Sequence, residues 1–141
     1  MPLLMKLGMG LAALFALGAA TLILLAQFGI GLFEIDGQPV SANEWLRVSA
    51  PLFLIAGGLM AGIAYGFCTR KTWARRLVMA LWFAVGSYGL LTGVTGAVPI
   101  SVMWRAIIQA IVLGSVASWY FYRKRNVVEY FNAIANLKSE I

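Results

Sequence analysis

The sequence predicts an all-α membrane protein with four spanning helices, on three observations. The chain is 62% hydrophobic and 11% charged over 141 residues, and its mean hydropathy is +0.87. A soluble domain is nearer to about 45–50% apolar and about 25% charged. Four apolar runs, over residues 7–33, 51–68, 77–95 and 102–122, are each long enough to cross a hydrocarbon core. The cations gather just outside those runs, as topology signals do. In a soluble protein the net charge of +6 would suggest nucleic acid. The position of the charges removes that reading, and no nucleic-acid partner is expected.

The first run, Leu7 to Phe33, is predicted to be an uncleaved helix. Gly18-Ala19-Ala20 has the look of a signal-peptide cleavage site, but Leu22-Ile23-Leu24-Leu25 continues the apolar run straight past it. Residues 34–50 are more polar. Asp36-Gly37 is a turn signal. Ser41 followed by Glu44 reads as a capping box that opens a short outer amphipathic helix. Trp45, Leu46 and Val48 would rest on the membrane interface. Pro51 opens the second long helix, where its missing N–H costs little.

Residues 69–76 form a short loop carrying Arg70, Lys71, Arg75 and Arg76. The third helix follows to Thr95, and Gly93, Gly96 and Pro99 mark a tight turn. The fourth ends at Tyr122, before Arg123-Lys124-Arg125. Residues 1–122 thus make a membrane domain and 123–141 a tail. The tail spaces Val127, Phe131, Ile134, Leu137 and Ile141 as an amphipathic helix. Such a helix either docks a partner or lies on the membrane. Nine of the eleven cations fall on the side of the termini, leaving Arg47 and Arg105 opposite. The positive-inside rule makes both termini cytoplasmic. Trp45 and Trp104 then map to the outer interface, and Trp73 and Trp119 to the inner one.

Gly58, Gly62 and Gly66 sit at i, i+4 and i+8, stacked along one helix face. In lipid such a ridge lets another backbone approach closely, so it is predicted to be a packing seam, within the chain or between copies. A shift of 52 residues lays it over Ala110, Gly114 and Ser118, and Ala106 extends that second stripe. The chain can therefore be read as two parallel hairpin repeats, or as helices that share a small-residue composition.

Four polar residues stand out as candidates. Arg105 lies about one turn inside the outer end of helix four, where a cation must snorkel or pair. It either binds an anionic group or pairs with Glu34 or Glu44. Gln27 and Gln109 are the only amides of helices one and four, and each is expected to face another helix. The chain has no His and one cysteine, Cys68. An internal disulfide, the usual zinc sets and the commonest general base are therefore excluded. Neither a cofactor nor enzymatic activity is expected, because the outer carboxylates lack a nucleophile–base constellation.

Ala64-Tyr65-Gly66-Phe67 leads into Arg70-Lys71-Thr72-Trp73-Ala74-Arg75-Arg76-Leu77. This Tyr-Gly exit from helix two and Trp-Ala-Arg entry to helix three resembles small bacterial four-helix inner-membrane proteins. Trp119-Tyr120-Phe121-Tyr122 and Val127-Val128-Glu129-Tyr130-Phe131 are similar to how some of them end. The resemblance implies a bacterial inner membrane and carries no activity over. Two functions remain. One is assembly with another membrane protein or with itself, within the lipid bilayer. The other is small-solute or ion transport, which usually places charged groups near the midplane. That region here offers Gly, Ala, Ser87 and Ser115, so the sequence favours assembly.

Overall fold

The computed structural model describes residues 2–139, with side-chain surroundings for residues 2–133. Among the described residues, four helices are long and apolar enough to cross a membrane: α1 (Leu3–Gln27), α3 (Ala50–Cys68), α4 (Ala74–Val94) and α5 (Ile100–Tyr122). Between α1 and α3 lie strands β1 (Phe33–Ile35) and β2 (Gln38–Val40) and the short helix α2 (Ala42–Val48); α6 (Arg125–Ser139) follows α5.

Three of the long helices stop by the same backbone device. Gly29 adopts φ +68° after α1; its N–H donates to Ala26 O, and that of Ile30 to Leu25 O. These are the two bonds of a Schellman cap, which turns the chain out of the helix. The first helix therefore ends six residues before Phe33, the end that hydropathy predicts. Gly96 closes α4 in the same way. Arg70 closes α3 at φ +53°, an uncommon conformation for a residue with a Cβ. At the other ends, α1 begins at Leu3 and α4 at Ala74, four and three residues earlier than hydropathy places them.

The chain freed by the early stop of α1 forms an antiparallel hairpin, with Phe33 opposite Val40 and Ile35 opposite Gln38. Asp36 and Gly37 both have positive φ, the two-residue turn that Asp-Gly favours in hairpins. The hairpin is the one element that the sequence reading lacked. Ser41 caps α2 as expected: its Oγ accepts from the Glu44 N–H at 3.2 Å. Trp45 does not rest outward on an interface. It is buried, 5.4 Å from the rings of both Phe33 and Phe53, where α2 folds back over α3.

The long helices pack in series, α1 on α3, α3 on α4 and α4 on α5, and no comparably extensive contact joins α1 to α5. Their buried residues form two cores. One gathers Ile23, Ala26, Phe33, Trp45 and Ala50 under the hairpin. The other runs along the helices to the opposite end, where it takes in Phe67, Phe121, Val127 and Phe131. The described part of α6 thus turns its apolar residues into the chain's own helices. Arg75 fastens this end: its guanidinium lies 5.1 Å from the Tyr122 ring centre and 5.4 Å from that of Phe131. One cation over two aromatic faces joins α4, α5 and α6. Ile134, Leu137 and Ile141, predicted to continue the apolar face of the tail, fall outside the described side chains.

Candidate functional site

The tightest contact that any glycine makes with a second helix involves small residues outside the predicted ridge, on α4. Gly86, Gly89 and Gly93 share one face of α4, at spacings of three and four. A Cβ built on Gly86 would sit 3.0 Å from Ala110 Cβ, and one on Gly89 would overlap Ala106 Cβ. One on Gly93 would sit 2.5 Å from Met103. Glycine is required along this face by the proximity of α5. Ala106 and Ala110, singled out from the sequence, are therefore seam residues, and their partners are the glycines of α4.

The ridge of α3 does not act as one seam within the chain. A Cβ on Gly66 would meet Ala74 at 2.7 Å and Trp73 at 3.1 Å, and one on Gly62 would meet Leu77 at 2.8 Å, so both face α4. Gly58 has nothing within 4 Å. The adjacent Gly57 is the residue that meets α1, with Ala19 Cβ at 3.2 Å from its built Cβ. A helix wedged between two neighbours needs small residues on two faces, and a single i, i+4, i+8 stripe serves only one of them. The stripes superposed by the 52-residue shift also meet the same helix: Gly62 and Gly66 pack on α4 from one side, Ala106 and Ala110 from another.

Gly114 continues the α5 stripe and lies 3.4 Å, from its built Cβ, to Trp82 Cβ. Gly114 also lines an open groove of about 590 Å³, formed by residues of α4 and α5 alone. The small residues Gly86, Ala110 and Gly114 line it together with the exposed apolar side chains of Phe83, Leu90 and Ile111. Ser87, Ser115 and Ser118 also line it, and all three are exposed. Thr21, Thr69 and Thr95, by contrast, each donate to the carbonyl four residues back in their own helices.

Of the polar candidates, Arg105 alone joins the hairpin. Arg105 Nη1 lies 3.1 Å from Asp36 Oδ1. Asp36 Oδ2 accepts from Ser101 Oγ at 3.2 Å. The partner of Arg105 is therefore the turn aspartate, and neither Glu34 nor Glu44. The left-handed backbone at Asp36 carries its carboxylate across to α5, which no spacing in the sequence reveals. The two contacts latch the hairpin onto the start of α5. Glu44 is exposed at the start of α2. Gln27 and Gln109 are exposed too, so within the chain neither amide faces another helix as expected. Among the described residues no group of three or more His, Cys, Asp or Glu is placed to hold a metal ion.

No known protein family, curated protein or solved structure matches the chain.

Proposed function

We propose that the chain is a small multi-pass membrane protein that acts by assembly, pairing with a second copy of itself through the α4–α5 groove. The observation behind this reading is the groove, lined by the small residues Gly86, Ala110 and Gly114, by exposed apolar side chains and by three exposed serines. Between lipid and helix there is no hydrophobic drive to association. Close packing over small residues and hydrogen bonds between helices supply it instead. A groove facing its own copy about an axis along the membrane normal makes a self-complementary contact, with Ser115 near the counterpart Ser115. An accessory role, with the same groove taking a helix of a different membrane protein, is the nearest variant of this reading.

The four long helices cross the inner membrane of a bacterium, and both termini face the cytoplasm. The supporting features are the nine-to-two asymmetry of the cations and the resemblance of the Tyr-Gly and Trp-Ala-Arg motifs to those of small bacterial membrane proteins. The experiment places a single cysteine at Ser115 in a Cys68→Ser background and oxidises it in native membranes. A covalent dimer, together with a native-detergent mass of two chains, is the expected result. A one-chain mass with no cross-link refutes self-assembly, and a mass of one chain plus another protein selects the accessory role. A reporter fused after Ile141 should be active only in the cytoplasm.

A further inference from the structure

A second cavity, of about 310 Å³, lies under the hairpin, between it and α2, α3, α4 and α5. We infer that it is a binding site for a small lipophilic cation, an ammonium group on an apolar body. The size is that of a small-ligand pocket. The inference is independent of how the chain assembles, because the cavity and the groove share no lining residue.

Three features of the lining select the ligand class. First, the aromatic residues Trp45, Phe53 and Tyr88 contribute to it, and aromatic side chains accept an apolar body and attract a cation. Second, the interior hydroxyls of Tyr88 and Thr92 are already engaged. Tyr88 OH donates to Val48 O at 2.6 Å, and Thr92 Oγ1 to Tyr88 O at 2.8 Å and Gly89 O at 3.3 Å. Ser49 is the one other hydroxyl of the lining, so a sugar or a carboxylic acid entering here would find a single uncommitted hydroxyl for its several polar groups. A quaternary ammonium has no N–H to satisfy, so the same lining suits it. Third, the charged residues of the lining are both acids, Glu34 and Asp36. Asp36 is occupied by Arg105 and Ser101. Glu34 is exposed and forms no ion pair among the described residues, which leaves a carboxylate at the rim for a cation.

The test is calorimetric titration of the purified full chain, in nonionic detergent, with benzyltrimethylammonium and with its neutral isostere neopentylbenzene. Saturable one-to-one binding of the cation is expected. Glu34→Gln should weaken it about fivefold, the scale of one partly solvated ion pair, and leave the isostere unaffected. Val98→Phe, which fills the cavity from the loop after α4, should abolish the binding of both. Circular dichroism confirms that each variant keeps its helices. Absence of saturable cation binding overturns the inference. So does an equal response of cation and isostere to Glu34→Gln, which would make the cavity an unselective apolar void.

Discussion

A single methyl group at Gly89 should loosen the whole α4–α5 seam. The Cβ of alanine there would overlap Ala106 Cβ and lie 3.8 Å from Ala106 Cα and from Met103 O. Ala106 cannot yield by rotation, because its Cβ is fixed to the α5 backbone. Non-bonded carbons settle at about 3.5–4.0 Å, so the helices must part by roughly 1 Å. A gap of about 0.5–1 Å forfeits a quarter to a half of the dispersion well for every atom pair along the contact. Gly86 and Gly93, tight against Ala110 and Met103, would lose their packing in the same movement. Overpacking of this kind typically costs about 1–3 kcal/mol. Gly58→Ala is the internal standard, because its Cβ would enter open space. Both substitutions gain the same helix propensity, up to about 1 kcal/mol in water, so their difference isolates the contact. Unfolding in mixed micelles, followed by circular dichroism, measures it. If Gly89→Ala and Gly58→Ala agree within about 0.5 kcal/mol, the seam does not depend on glycine and the packing argument fails.

Two further substitutions test the ends of the molecule. Arg105→Leu and Asp36→Asn should each cost no more than about 1 kcal/mol, because the Arg105 side chain is 67% exposed and water screens the pair; a double-mutant cycle in thermal unfolding should return a coupling of about 0.2–1 kcal/mol, and zero coupling would dissolve the latch. Phe131→Ala removes a side chain that is 2% exposed, with a cost of about 3–5 kcal/mol if the core stays in place. Since Val127 and Phe131 are the buried residues that hold α6 to the core, that loss should appear as undocking, read as faster amide exchange in residues 125–133 and as new tryptic cleavage after Arg125, with α3 to α5 unchanged.

The four long helices were legible because a hydropathic run of this length has few other solutions: backbone groups in an apolar medium must bond within their own segment. Their far ends at Cys68 and Tyr122 were legible too, since charged residues follow directly. The end of α1 was misplaced because the residue that stops it, Gly29, is apolar by composition and acts through its φ angle. The Asp36-Gly37 turn was visible, but with the helix carried to Phe33 no strand remained on its first side to pair.

What the sequence determined by itself is local and periodic: which segments are apolar helices, where Ser41 caps, and that small residues line faces of α3 and α5. Which small face meets which neighbour was decided by tertiary structure. Gly58 and Gly89 are chemically identical and both sit in helices apolar enough to cross a membrane, yet one faces open space and the other has α5 against it. The difference lies in the order of packing, α1 to α3 to α4 to α5, and in the rotation of each helix within it. The same holds for Arg105. A cation near the start of α5 must snorkel or pair, and the sequence reading named Glu34 and Glu44 as partners; the structure pairs it with the turn residue Asp36 instead. Periodicity acts along one helix, whereas the distance between two helices depends on the side chains of both and on every contact that orients them.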